Sequence, residues 1–186
     1  SSGTKKSGLY SLRFNGVITG DVDECYYSAI ASLPNTSYVS ANVYVTSATM
    51  LGTDNDRVSL IGFINLPTTY GSQICFNRNS GTNIWGLFNY ESGSLVAHYS
   101  VTAVTTGWHY IQLKHVHSTG ANLDGEEHVY VDGTEIITVT GISNNSWSLN
   151  QVCFGGWQHA HGDTMDYYID NVVVSDGLPI GPSIIY

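Results

Sequence analysis

The chain has 186 residues, of which 42% are hydrophobic, a composition that suits one globular domain and argues against a disordered chain. Only 11% of the residues are charged, and the formal net charge is -9, with just six Lys and Arg residues. This balance excludes nucleic acid as a partner, because phosphate binding needs a cationic stripe. Membrane insertion is also excluded, because no apolar run approaches the roughly 20 residues of a membrane span.

Alternation of apolar and polar residues recurs along the chain and predicts strands with one face in the core. It begins at 10–14, is clearest over 38–45, and returns over 110–114 and 128–132. Apolar runs at 58–64, 72–76, 84–90, 95–101, 135–139, 152–155 and 167–174 predict further strands. Asp132-Gly133 predicts a tight hairpin turn of type I′. No segment keeps a helical period for three turns.

About twelve strands without helices predict an all-β fold, an antiparallel two-sheet β-sandwich of the jelly-roll type. We expect the sandwich to occupy 1–177 and a C-terminal tail to occupy 178–186. The three cysteines match no metal or redox spacing. Cys75 and Cys153 lie in similar strand contexts and could form a disulfide, although buried free thiols are the favoured interpretation.

Four blocks occur in a fixed order along the chain: 7–16, 107–111, 125–133, and Phe154-Gly155-Gly156 followed by 168–174. They resemble the first strand, the tryptophan strand, the hairpin and the closing strands of the concanavalin A-like and laminin G-like jelly-roll superfamily. The resemblance implies this fold for nearly the whole chain. It leaves the function open, because the fold hosts lectins, adhesion modules, lyases, hydrolases and virion proteins.

The aromatic residues predict a ligand. Thirteen Tyr and four Trp exceed the needs of a core, and sugar rings stack on aromatic faces while amides meet their hydroxyl groups. Because Val39 and its alternating neighbours are expected in the core, the intervening side chains should face outward. The predicted glycan-binding residues are Tyr38, Asn42, Tyr44, Tyr110, Gln112 and Trp157. The same surface could instead contact another subunit, since Tyr- and Asn-rich sheets also serve protein contacts.

Acidic residues predict a possible calcium site, because Ca²⁺ takes six to eight hard oxygen ligands. The candidate ligands are Asp163, Asp166 and Asp170, around the last strand, with further acidic pairs at 21–23 and 54–56. Solvated acids explain these residues equally well. Two His-x-His pairs, at 115–117 and 159–161, could each offer two imidazoles on one strand face, but polar strand-end and loop histidines are the preferred interpretation.

The sequence argues against catalysis. It contains no Glu-x-Asp-x-x-Glu strand of the kind that pairs the carboxylates of a glycoside hydrolase. A polysaccharide lyase would need a Tyr/His pair near Arg or Lys to neutralise a uronate, and the basic residues are few and scattered. A lyase or hydrolase is therefore kept only as a minority alternative.

The sequence thus predicts a non-catalytic recognition module on a secreted or surface-exposed protein, with a glycan or a surface receptor as its partner. The alternative from a different class is a structural or receptor-binding component of a virion, such as a phage head or tail, or of a surface appendage. Such a component would assemble with copies of itself into a homo-oligomer or a larger structure.

Overall fold

The computed structural model describes residues 11–29, 33–49, 51–65, 70–144, 149–179 and 181, with only the backbone described at 17–28, 70 and 156–165. These described residues form ten strands: β1 (Leu12–Ala29), β2 (Thr36–Val45), β3 (Arg57–Asn65), β4 (Tyr70–Asn79), β5 (Thr82–Glu91), β6 (Ser94–Ala103), β7 (Gly107–Val116), β8 (Gly125–Val131), β9 (Thr134–Ile142) and β10 (Gln151–Asp176). The described residues include no helix, and therefore none long and apolar enough to cross a membrane. The predicted all-β sandwich is confirmed, with ten strands rather than twelve.

Two antiparallel sheets share the long strand β10. Its first part, 151–159, pairs with β3 and continues the order β3-β4-β5-β6, which we call the β3 sheet. Its second part, 167–176, pairs with β2 and continues the order β2-β7-β8-β9, which we call the β2 sheet. Strand β1 runs antiparallel beside β10 along most of its length. Because β10 passes from one sheet to the other, the hydrogen bonds between strands run without a break from one layer of the sandwich to the other.

The core lies between these two sheets. Val39, Ala41, Val43 and Val45 of β2 are fully buried, as the alternation predicts. Aromatic rings bridge the layers, since Phe76 of β4 meets Tyr167 of β10 at 6.0 Å, and Trp85 of β5 meets His109 of β7 at 5.4 Å. Each large apolar side chain buried in this way contributes about 1.5–3 kcal/mol, which makes the interlayer contact the main source of stability.

Two turns of the backbone depend on particular residues. The β8–β9 hairpin turns at Asp132 (φ 51°) and Gly133 (φ 81°), which confirms the predicted type I′ turn. Gly155 in β10 has φ 75°, and a Cβ atom there would lie 2.1 Å from Cε1 of Phe14. The ring of Phe14 therefore packs directly on the β10 backbone, and it also stacks on Tyr167 at 4.9 Å.

Cys75 and Cys153 are buried free thiols, which confirms the favoured interpretation of the sequence. Strand β3 separates them, because Cys75 pairs with Ser59 and Cys153 pairs with Gly62. Two strand spacings amount to about 10 Å between Cα atoms, beyond the roughly 7 Å limit of a disulfide. The side chain of Cys25 lies outside the described residues.

Candidate functional site

The structure brings most of the predicted glycan-binding residues onto one surface. Asn42 of β2 pairs with Tyr110 of β7, and the register gives Tyr38, Tyr44 and Gln112 the same outer face of the β2 sheet. Gln112 donates a hydrogen bond from Nε2 to the hydroxyl of Tyr110 at 3.1 Å. The side chain of Trp157 lies outside the described residues.

These side chains face outward, as the alternation predicts, but most of them have little exposed surface. Tyr38, Asn42, Tyr110 and Gln112 retain only 5–9% of their surface, while Tyr44 is half-buried. The reason is position: β2 lies in the middle of its sheet, between β10 and β7, so large neighbours on both sides cover its outer side chains. Alternation along one strand predicts which face a residue takes, but it carries no information about these neighbours.

The predicted calcium ligands do not form a common site among the described residues. Asp166 holds Arg13 through two hydrogen bonds of 2.8 and 3.0 Å, which occupy both its carboxylate oxygens. Asp170 lies four residues further along the same strand, about 13 Å away. The side chain of Asp163 is not described, and the described residues contain no group of three or more acidic, His or Cys side chains that could hold a metal. Bound calcium stays a prediction.

His115 is not the strand-end surface histidine that the sequence suggested. Its side chain is 1% exposed and its Nδ1 lies 2.7 Å from Oε1 of Glu127, which is fully buried on the neighbouring strand β8. Asn144 donates from Nδ2 to the same Glu127 oxygen at 3.4 Å and to the carbonyl of Val116 at 3.0 Å. This is a polar network inside one end of the core. The side chains of the second pair, His159 and His161, are not described.

A different polar group occupies the outer face of the β3 sheet. On β4, Ile74 and Phe76 face the core, so Gln73, Cys75 and Asn77 face outward. All three are buried, at 7% exposure or less, although they lie on an outer face. The register places Ser59 of β3 beside Cys75 and Arg57 of β3 beside Asn77. We call Arg57, Ser59, Gln73, Cys75 and Asn77 the β3-sheet cluster.

Arg57 crosses the face of this sheet. Its guanidinium carbon lies 4.0 Å from the ring centroid of Phe88 on β5, two strands away. Asn77 donates a hydrogen bond from Nδ2 to Sγ of Cys75 at 3.1 Å. A Cβ atom at position 86 would lie only 1.8 Å from the same Nδ2 atom. Gly86 therefore leaves the space that the Asn77 side chain occupies. The β3-sheet cluster thus combines amides, a hydroxyl group, a thiol and one cation.

The charge of the β3-sheet cluster differs from that of the whole protein. The net charge of the chain is -9, yet no Asp or Glu is among the described outward-facing side chains of β3, β4 and β5. Burial raises the pKa of the Cys75 thiol to about 12, against smaller opposing effects of the Asn77 hydrogen bond and the charge of Arg57. Cys75 is therefore a neutral thiol at physiological pH, neither a base nor a nucleophile. Arg57 is thus the charged side chain of the β3-sheet cluster, beside neutral amides and a neutral thiol.

The β3-sheet cluster was not identified from the sequence, because 72–76 was treated as an apolar run. The available signal was the period of two within it: polar Gln73, Cys75 and Asn77 alternate with apolar Ile74 and Phe76. Arg57 gave a second signal, as one of only six cations in the chain and the first residue of a strand. Only the register shows that they meet.

No protein-family model matches the chain, and no curated protein is similar to it in sequence. Solved structures are similar in fold. An endo-β-1,4-glucuronan lyase from the fungus Trichoderma reesei superposes with a TM-score of 0.70 and 14% identity, over 94% of this chain and 84% of that one. An alginate lyase gives a TM-score of 0.67 at 12% identity, over 90% of this chain and 81% of that one. A PL-14 alginate lyase from the marine Aplysia kurodai gives 0.61 at 17% identity, over 95% and 86%.

These neighbours correct the functional prediction from the sequence. They share the sandwich-like jelly roll, consistent with the concanavalin A-like superfamily, and they are polysaccharide-cleaving enzymes. The predictions of a non-catalytic module and of a protein that is not an enzyme are contradicted. The prediction of a glycan partner is supported in its coarse form, because alginate lyases of this fold are seen in complex with alginate oligosaccharides and dimannuronate.

Proposed function

We propose that this protein is a polysaccharide lyase of the concanavalin A-like superfamily, which cleaves a uronate-containing polysaccharide on the outer face of its β3 sheet. The observation that carries the proposal is the buried β3-sheet cluster, in which Arg57 lies among neutral amides with no carboxylate among the described side chains of the face. The fold neighbours that act on alginate and glucuronan support the same reaction class. Cleaving such a polymer also fits the predicted secreted or surface location.

The chemistry of uronate β-elimination sets what the site must supply. A base removes the proton at C5, the C4–O bond breaks as the C4=C5 double bond forms, and the departing glycosidic oxygen receives a proton. The substrate carboxylate must be neutralised, because negative charge accumulates on it as the C5 proton leaves. The guanidinium of Arg57, a side chain that keeps part of its surface, can donate two parallel hydrogen bonds to that carboxylate.

The proton-transfer group is a separate requirement. Cys75 cannot serve, because burial holds its pKa near 12 and the thiol stays protonated. The base is therefore a titrating group other than Cys75, and the pH dependence of kcat/KM reports its pKa.

The test is the ultraviolet absorbance of the unsaturated product, measured with alginate and with glucuronan as substrates. The unaltered protein should release this product from at least one of the two polymers. Arg57→Gln should lower kcat/KM by about 100-fold or more, because it removes a preorganised donor from the developing charge. The kcat/KM of Arg57→Lys should lie between those of the unaltered protein and Arg57→Gln, since lysine keeps the charge but loses the two parallel donors.

The matched control is Lys114→Gln, which removes a cation of the other sheet that already pairs with Glu126 and should leave the rate unchanged. Urea unfolding of each variant separates loss of chemistry from loss of fold. No unsaturated product from either polymer, or an Arg57→Gln variant as active as the unaltered protein, would overturn the proposal.

A further inference from the structure

A straight row of large side chains crosses the outer face of the β2 sheet. Trp108 of β7, Tyr44 of β2, Tyr168 of β10 and Arg13 of β1 are successive partners in the strand register. The ring of Tyr44 meets Trp108 at 5.3 Å and Tyr168 at 6.0 Å, and the Arg13 guanidinium lies 5.4 Å from the Tyr168 centroid. We call these four residues the aromatic row. It spans three strand spacings, about 14 Å, the reach of a short oligosaccharide.

The row is held in place by its own contacts. Both carboxylate oxygens of Asp166 bind Arg13, at 2.8 and 3.0 Å, and this fixes the guanidinium over one face of Tyr168. Tyr168 is thereby 8% exposed and covered, whereas Tyr44 and Trp108 keep part of their surface. The accessible part of the row is therefore the Tyr44–Trp108 pair, with edge-on packing at 61° between the rings. Rings ordered before binding lose little entropy when a ligand stacks on them.

The charges of this face select the kind of ligand. Its two cations are already neutralised: Arg13 by Asp166, and Lys114 by Glu126 at 3.1 Å. Asp170 and Glu135 add further carboxylates on the same side of the sheet, since Asp170 pairs with Asn42, and Glu135 contacts His128, which pairs with Lys114. The face is thus net acidic and repels a polyuronate. It differs in this respect from the β3-sheet cluster, which lies on the opposite side of the sandwich.

We propose that the aromatic row is a second glycan-binding site, specific for neutral polysaccharide and separate from the cleavage site. Apolar C–H faces of sugar rings stack on Tyr44 and Trp108, and the neighbouring carboxylate of Asp170 accepts hydrogen bonds from hydroxyl groups. The site anchors the protein to an uncharged polymer while the other sheet acts on an acidic one. The inference does not depend on the proposed lyase activity.

The experiment measures depletion of the full chain by insoluble neutral polysaccharides, namely cellulose, β-1,3-glucan and mannan, with insoluble calcium alginate as the acidic comparison. Trp108→Ala and Tyr44→Ala should each weaken binding to a neutral polymer by about tenfold, and Trp108→Phe should retain most of it. Tyr99→Ala is the matched control, because Tyr99 is an exposed ring on β6 of the other sheet. Arg57→Gln should bind neutral polymer normally, even if it has lost activity on uronates.

Each outcome decides the matter. Neutral-polymer binding that survives Arg57→Gln and is lost in folded Trp108→Ala supports the second site, whatever the lyase assay gives. Absence of binding to all three neutral polymers would overturn it, as would equal binding by the Trp108→Ala and Tyr99→Ala variants. A dimer seen by light scattering that Trp108→Ala dissociates would show that a second copy of the chain occupies the row, and would also overturn the proposal.

Discussion

The buried pair of His115 and Glu127 allows a prediction whose size follows from the structure. Glu127→Ala removes the carboxylate that meets Nδ1 of His115 at 2.7 Å and accepts from Asn144 at 3.4 Å, at a position with no exposed surface. His115 and Asn144 then stay inside the core with a partner missing. A buried polar group left without its partner costs about 1–3 kcal/mol, so the two groups together cost roughly 2–6 kcal/mol. This is a large part of the roughly 5–15 kcal/mol that stabilises a domain.

Urea unfolding followed by intrinsic fluorescence measures the loss as a shift of the midpoint at constant slope. Glu127→Gln keeps an oxygen that can accept from His115 and should lose less than half as much. Glu135→Ala on β9 is the control, since it removes an exposed carboxylate that also contacts a histidine and should cost less than about 1 kcal/mol. Equal losses of stability in Glu127→Ala and Glu135→Ala would show that the contact between His115 and Glu127 contributes no more than an exposed one, and would refute this prediction.

Three further predictions test the fold. Val43→Asp should abolish folding, as judged by circular dichroism, because it puts an unpaired charge at a fully buried site, whereas Tyr44→Ser on the opposite face should fold with a modest loss of stability. Gly155→Ala should lower the urea midpoint more than Gly177→Ala, since both have positive φ but only residue 155 meets the ring of Phe14. Cys75 should resist an aromatic disulfide reagent at neutral pH until urea is added, because burial raises its thiol pKa to about 12, and rapid labelling of the folded protein would contradict that burial.

The sequence predicts the local parts of the fold because they depend on periodicity. Alternation over 38–45 identifies the core face of β2, and Asp132-Gly133 identifies the β8–β9 hairpin, since each feature is set within a few residues. The strand count was overestimated because β10 continues through 151–176, a segment that contains glycines and polar residues and resembles two separate strands. Only the pairing of β10 with both β2 and β3 reveals one strand shared by two sheets.

The polar sites could not be predicted in the same way, because their partners come from different strands. His115 resembles a strand-end histidine until the register of β7 and β8 places Glu127 directly opposite it. The aromatic row likewise takes one residue from each of four strands that lie far apart in sequence, so the sequence identified Tyr44 but could not connect it with Arg13 or Tyr168. Each residue is ordinary by itself, and the arrangement is a property of the sheet.

The wrong prediction of a non-catalytic protein rests on the missing paired-carboxylate motif and on the few, scattered basic residues. Six scattered cations argue against an acidic substrate only if none of them lies at the site. In the folded protein, Asp166 and Glu126 neutralise Arg13 and Lys114 on the β2 sheet. Arg57 lies on the other sheet, where its neighbours in the β3-sheet cluster are neutral amides, a hydroxyl group and a thiol. The two proposed sites therefore differ in their local charge, although the chain as a whole is acidic.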